Sequence, residues 1–372
     1  MKFSCKIALV ILMASLLSAG SVVYAQTITG ENTVSPTSSN LNAVNIDASN
    51  TTSNSTLSNL AAMAVGDGGV IIRWNGTRWG TMSSNTSVNL YSIILINSAN
   101  AWAVGGNATN GVILRYNGTW TVWNTTSPIK STLYSVTTET DGSSGWIVGA
   151  NGINLRWDGT QWTPMANATR NHLRSVSMVH GTNNAWAVGD NGTIIMWNGS
   201  NWSNVTSPSA TNLNAIIMVN SSMGWAVGGN GTNTGLIMML NGTTWSVWNR
   251  INFGGGANAM DKINATLYSI TLDTANSAWT CGASGTVLYW TGTEWDGQTN
   301  IASNNLKGIA MVHGAPSGTS YAWAVGEGGR ILAWTGSSWI PEFPIMAIPI
   351  LMGIVALAAF LGKSKFGKKI PL

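Results

Sequence analysis

Leu90-Tyr91-Ser92-Ile93, then Trp102-Ala103-Val104-Gly105, then Val112-Ile113-Leu114-Arg115-Tyr116-Asn117-Gly118-Thr119-Trp120 form one unit of a pattern that runs along this chain. Each piece reads as a short strand. The first alternates faces in the way a half-buried strand does. Residues 102–105 supply a second strand, ended by glycine, which permits positive φ in a tight turn. Residues 112–116 are a third. Asn117-Gly118 after it is a favoured pair for a type I′ hairpin, whose twist suits the flanking strands. Trp120 begins a fourth.

The leading leucine returns at Leu41, Leu133, Leu173, Leu213, Leu267 and Leu306, and the second strand restarts at Met63, Trp146, Trp186, Trp225, Trp279 and Trp323. The third strand and its turn are plain again in Ile71-Ile72-Arg73-Trp74-Asn75-Gly76-Thr77-Arg78-Trp79. A period of about forty residues marks a repeat architecture. One four-stranded sheet cannot cover both of its faces, so it must stack on its copies, and radial stacking closed into a ring is a β-propeller. An open solenoid has shorter coils and dedicated caps; a pair of sandwiches is the other competitor. The expected fold is all-β, a propeller of seven four-stranded blades over residues 41–340. The last unit has a short outer strand at Trp339-Ile340, which residues 27–34 could complete.

All twenty tryptophans lie between Trp74 and Trp339. Recurrence at one place per unit points to an inter-blade packing layer; a stacking platform for sugars is the alternative.

The two ends differ from the body. Lys2 and Lys6, the apolar run 7–17 and the small residues of Val23-Tyr24-Ala25 compose a secretory signal over 1–25. A polar linker, 26–40, follows. At the other end an apolar run, 345–361, precedes Lys363, Lys365, Lys368 and Lys369. As a helix it would span roughly 25 Å, enough for a short transmembrane segment. Lysines are retained on the cytoplasmic side, so the propeller is expected outside and the basic tail inside.

The net charge of +4 comes from those ends. Without the signal and tail lysines, eleven basic residues face thirteen acidic ones, a charge of −2. No basic patch is left to attract nucleic acid. Cys5 departs with the signal, leaving Cys281 alone, so an internal disulfide is excluded and stability must rest on apolar packing.

Pro341-Glu342-Phe343, the apolar run and the basic end, in that order, resemble the PEF-CTERM sorting signal of archaeal surface proteins. The resemblance implies an archaeosortase-like processing enzyme that recognises the tripeptide, cuts near it and transfers the protein to a lipid anchor. The units themselves resemble Asp-box (BNR) repeats of sialidases and other glycosidases, and photosystem II assembly-factor propellers. Only Asp158 keeps an aspartate near the Asp-box position, where other units carry asparagine or threonine such as Asn75, Asn198 or Thr291. This likeness implies a fold and does not extend to an activity.

Arg73, Arg115 and Arg156 occupy one position of the third strand in consecutive units. Sialidases grip a substrate carboxylate with three arginines, because guanidinium binds it bidentately. Third-strand positions at one radius stand apart, however, and an inter-blade row is the competing reading. His180 and His313 share the context Met-Val-His-Gly as repeat equivalents, and His172 is a turn residue. No spacing of Cys, His and carboxylate suggests zinc, and no cofactor is expected. Asp67, Asp190 and Glu327 follow the Val-Gly of units one, four and seven and should give one face a sparse acidic rim.

Asn-x-Ser/Thr occurs sixteen times. Hairpin chemistry accounts for Asn75, Asn117 and Asn241, whereas Asn50, Asn54, Asn107, Asn167 and Asn264 precede no expected hairpin and are candidates for glycosylation. The expected function is therefore an exported, membrane-anchored, N-glycosylated cell-surface propeller. It would act as a binding or structural module for an envelope protein or polysaccharide. An Asp-box-type glycan hydrolase and an assembly factor for a membrane complex are the alternatives.

Overall fold

Leucine at the head of each unit starts the strand nearest the axis. In blade one, β1 (Leu41–Ile46) pairs with β2 (Ala62–Gly66), β2 with β3 (Ile71–Trp74) and β3 with β4 (Trp79–Met82), all antiparallel. The computed structural model describes residues 35–47, 60–125, 127–231, 234–253, 262–274, 277–298, 301–312, 321–334 and 339–341. Among these, the four-strand order is repeated in seven sheets. Their later first strands are Leu90–Asn97, Leu133–Thr138, Leu173–Met178, Leu213–Asn220, Leu267–Thr274 and Leu306–Val312. Each lies against the next, and Leu306–Val312 lies against β1, which closes the ring. The chain is an all-β, seven-bladed propeller. Blade six gains a fifth strand, Ile251–Asn252, which runs parallel to Trp295–Gln298 and comes from the long connection out of blade five. No helix among the described residues is long and apolar enough to cross a membrane; residues 1–25 and 345–361 lie outside them.

Closure uses the last unit's own strand. Trp339–Pro341 pairs with Ile331–Trp334, placing Trp339 opposite Trp334 and Pro341 opposite Leu332. Pro341 thus belongs to the propeller, one residue beyond the expected boundary, while Glu342, Phe343 and the segment 27–34 lie outside the described residues. Across the junction the Gly328 amide donates to Asn40 Oδ1 at 3.0 Å. Leu41, Ile72, Trp74 and Trp79 of blade one share one core with Trp323, Val325 and Ile331 of blade seven.

The tryptophans explain why blades stack. Trp323 meets Trp74 and Trp79 of the next blade at 5.0 and 5.2 Å between ring centroids. Trp102 meets Trp157 and Trp162 at 5.0 and 5.5 Å, and Trp146 meets Trp197 and Trp202 at 4.8 and 4.9 Å. Trp225 and Trp279 repeat the contact with Trp290 and Trp334. Tilted and edge-to-face pairs at these separations add to the area term of burial. In blade one Met63 replaces tryptophan and fills the same layer beside Tyr116 and Trp120. Buried in this way, the second-strand tryptophans form an inter-blade layer and no exposed sugar platform.

Two turn expectations need correction. The glycine ending each second strand is extended, not left-handed: Gly66 has φ −162° and Gly189 φ −170°. It is required by close approach, since a Cβ on Gly66 would sit 1.9 Å from the Asn40 carbonyl oxygen. Positive φ falls later in the turn, as at Asn191 (55°) and Gly192 (68°). Among the described residues the third-to-fourth hairpins are also not type I′, which needs two positive φ values. Four residues separate Trp74 from its partner Trp79, and only Gly76 is left-handed, at 97°. Asn75 Oδ1 instead accepts from the amides of Thr77 and Arg78, at 3.0 and 2.9 Å.

Asp158 does the same in blade three, accepting from the Thr160 hydroxyl at 2.7 Å and from the Thr160 and Gln161 amides at 2.8 and 2.9 Å. The Thr160 hydroxyl first, then the two amides, hold its carboxyl down at about 2. A depressed carboxylate contributes order that is present above its unfolded value and lost as pH falls through the folded one. The Thr160 and Gln161 amide resonances are therefore expected to shift with a midpoint near pH 2, read by NMR titration. A midpoint in the ordinary aspartate range would contradict the loop geometry.

Candidate functional site

The pairing of the first two strands slips again near its far end in blades two, five and six, but the slip shared by every blade comes directly after the leading leucine. The skipped residue is Asn42, Tyr91, Tyr134, Arg174, Asn214, Tyr268 or Lys307. A bulge leaves one residue unpaired and re-aims its side chain. All seven side chains are half-buried. Because each sits beside the turn that leaves the second strand, together they ring one mouth of the propeller axis.

Their partners follow a rule. In blades one, four and seven the bulge residue is a donor and the turn begins with an acid. Asn42 Nδ2 donates to Asp67 Oδ1 at 2.9 Å, Arg174 Nε pairs with Asp190, and Lys307 Nζ lies 3.4 Å from Glu327 Oε1. In blades two, three and six the bulge residue is tyrosine and the turn begins with Gly106, Ala150 or Ala283. The tyrosines contact neighbouring blades instead. Tyr91 and Tyr134 are edge to face at 5.6 Å, Tyr134 meets His172 at 6.1 Å, and Lys307 Nζ stands 4.0 Å over the Tyr268 ring. Asn214 Nδ2 donates to the Leu267 carbonyl at 2.8 Å, tying blade five to blade six.

Electrostatics follow from these contacts. Burial pushes the Tyr134 hydroxyl above its ordinary range, against the nearby Arg174 charge. Partial burial works against ionisation at Glu327, but the Asn305 amide and the Lys307 ammonium outweigh it and hold the carboxyl below its usual range. Asp67, Asp190 and Glu327 do lie on one face, yet each is bound by donors of its own blade. The mouth therefore presents hydroxyls, amides, aromatic edges and two paired cations. That set offers hydrogen bonds and ring contacts.

Second and third contacts lock the mouth in place. Residues that precede a leading leucine reach back to the preceding blade: Asn89 Oδ1 accepts from the Gly68 amide, Asn212 Oδ1 from Asn191 and Asn305 Oδ1 from Ser284, each at 2.9 Å. His172 Nδ1 takes the same role toward the Asn151 amide at 2.9 Å. Below the ring, Ser92, Ser135 and Ser175 hydroxyls each accept the first-strand amide of the following blade at 3.2 Å.

No protein-family model matches this chain, and no curated protein matches its sequence. Solved structures do match. YCF48 bound to a D1 peptide has a TM-score of 0.59 at 13% identity, over 81% of this chain and 93% of that one. YCF48 from Cyanidioschyzon merolae gives 0.60 at 14%, over 82% and 98%. The fold is shared with YCF48. RRP9 WD40 repeats match more weakly, at 0.52 and 11% identity, over 68% of this chain and 79% of that one. At such identities the likeness to YCF48 is one of fold, and the expected resemblance to photosystem II assembly-factor propellers holds at that level.

Other sequence candidates lie away from the mouth that the YCF48-like ring encloses. Arg73 donates to the Tyr116 hydroxyl at 2.7 Å and to the Ser98 carbonyl at 3.2 Å. Arg115 stacks over Trp102 at 4.8 Å, and Arg156 over Trp197 at 5.6 Å. Each arginine thus packs at a different blade junction, and the three are not brought together. His180 Nδ1 contacts Glu139 Oε2 at 3.0 Å on the opposite face, and His313 lies outside the described residues. Cys281 is fully buried, its Sγ donating to the Leu306 carbonyl, and burial pushes its thiol far up. Among the described residues no group of three His, Cys, Asp or Glu could hold a metal ion.

Of the glycosylation candidates, Asn50 and Asn54 lie outside the described residues, while Asn107, Asn167 and Asn264 are exposed. Asn107 Oδ1 accepts from the Thr109 and Asn110 amides at 3.0 and 2.9 Å, so turn chemistry reaches this position too. Asn167 Nδ2 donates to the Asn151 carbonyl at 3.3 Å, a contact that a glycan would replace.

Proposed function

We propose that this chain is an exported, membrane-anchored interaction module that holds a polar peptide segment of a protein partner at the bulge-ringed mouth. The ring carries the reading: seven adjacent half-buried side chains, varied in chemistry, rest on a framework that repeats from blade to blade. Repetition below and variation above is what a recognition surface on a rigid scaffold requires. YCF48, of like fold, has been solved with a peptide, which favours a protein partner over a polysaccharide. Assembly of a membrane complex is a compatible role. The signal at 1–25 and the apolar run 345–361 support export and anchoring, and Pro341-Glu342-Phe343 supports processing by an archaeosortase-like enzyme at an archaeal surface. Exposed sequons such as Asn264 support glycosylation.

The test uses the full chain, recovered by affinity tag after cross-linking in its own cells, followed by peptide arrays of the captured proteins. Paired replacement of Tyr91 and Tyr134 by alanine is expected to weaken peptide binding by about tenfold or more, as loss of central aromatic contacts does. Arg78→Ala, in an exposed hairpin on the opposite face, should leave binding unchanged. Equal binding by all variants, or binding to envelope polysaccharide alone, would refute the assignment.

A further inference from the structure

The direction of the last strand says which face of the propeller meets the membrane. Trp339–Pro341 starts at the end of blade seven where Trp334 finishes the third strand, because Trp339 lies opposite Trp334. It finishes at the end that holds Leu306, Gly326 and the turn Glu327–Gly329, since Pro341 lies opposite Leu332, next to Ile331. That end carries Lys307 and the rest of the bulge ring.

Three residues, Glu342-Phe343-Pro344, then separate this strand from the apolar run at Ile345. Three residues reach about 10 Å when fully extended. The strand itself rises roughly as much, at about 3.3 Å per residue. A reversed propeller, with the hairpin face toward the bilayer, would need a link that turns back and spans the whole blade. The available link is too short for that.

Charge agrees with the short link. Lys130, Arg170 and Lys262 are exposed in connections on the ring face, where the three turn acids are already bound. Asp141, Asp158 and Arg78 are exposed in hairpins on the other face, which leaves it the less cationic of the two. The more cationic face toward the headgroup phosphates is the favourable arrangement within about a Debye length of a lipid surface.

We infer that the bulge-ringed mouth is the membrane-facing side of the propeller, and that its partner is an extracellular segment of a protein embedded in the same membrane. The inference rests on the proposed attachment to the membrane just beyond Pro341, through residues 345–361 or through the lipid that replaces them after processing. The hydroxyls, amides and paired cations of the ring suit a polar loop better than bare phosphate, which would call for unpaired cations at the centre.

The experiment places one fluorophore on each face of blade four, across the ring from the anchor. The full chain is reconstituted in vesicles containing anionic lipid and a nitroxide-headgroup lipid, with Arg170→Cys or Ser200→Cys as the labelling site. Cys281 is buried and Cys5 is replaced by serine, so neither competes. Flotation with the vesicles establishes the anchor; a chain that stays behind overturns the anchor and this inference together. With the chain floating, the label at position 170 should be quenched while that at 200 keeps its emission. Equal quenching, or the reverse, overturns the orientation and leaves anchoring intact. A photo-cross-linker at position 170, used in native membranes, should capture an integral membrane protein and one at 200 should not. Capture of lipid alone would overturn the choice of partner.

Discussion

Trp225→Ala is expected to cost about 3–5 kcal/mol of stability, the usual range for truncating a fully buried tryptophan. Trp225 has no exposed surface and touches three indoles of the next junction: Trp290 at 4.8 Å, Trp295 at 5.3 Å and Trp248 at 5.4 Å. Those rings are themselves backed by Ile237, Leu267 and Leu288, so they cannot close on the space left behind. Lost area and an unrelieved cavity add together. The layer holds by packing, because the indole N–H groups of Trp225 and Trp295 have no hydrogen-bond acceptor. Denaturant unfolding followed by circular dichroism measures the effect. Val122→Ala, at a side chain 48% exposed, should shift stability by no more than about 0.5 kcal/mol. If the two variants proved equally stable, the tryptophan layer would not be what holds neighbouring blades together.

Gly189→Ala should destabilise by about 3 kcal/mol or more, at the upper end of what overpacking does. A Cβ there would stand 1.8 Å from the His172 carbonyl oxygen and 2.8 Å from its carbon. Those are backbone atoms, and the same carbonyl accepts the Asp190 amide at 3.0 Å, so yielding would break the bond that shapes the turn. Torsional strain is not the cause, since φ at Gly189 is −170°, open to any residue. Gly80→Ala is the matched comparison: a Cβ there meets nothing within 4 Å. Thermal unfolding of the pair separates the explanations. A marked loss in both would point to backbone freedom and away from close approach.

Much of the propeller was legible before any coordinates. Alternation in Leu90-Tyr91-Ser92-Ile93, the block Trp102-Ala103-Val104-Gly105 and the indole that opens each fourth strand are local signals of strand and burial, and repetition multiplied them seven times. The Asp-box-like loop was legible as a turn but not in its type. Asn-Gly satisfies a two-residue hairpin and a four-residue loop equally well, and the register of Trp74 against Trp79 chooses between them. The fifth strand of blade six had no signal, because Ile251–Asn252 is too short to show a period.

The candidate site was mostly hidden, for a definite reason. Asn42, Tyr91, Tyr134, Arg174, Asn214, Tyr268 and Lys307 occupy one column of the repeat, yet strand alternation assigns that column no special role. The pairing slip at each bulge brings it to the mouth, and a slip depends on the partner strand. The one clue in sequence was the match between bulge donor and turn acid in blades one, four and seven. By itself, then, the amino-acid order determined strands, turns, blade number and the apolar faces that must stack, because these rest on contacts between near neighbours. Only the tertiary structure decided which side chains ring the axis, why Gly189 admits no Cβ, and that Pro341 ends a strand on the ring face. Those depend on atoms brought together from distant parts of the chain by the closing of the ring.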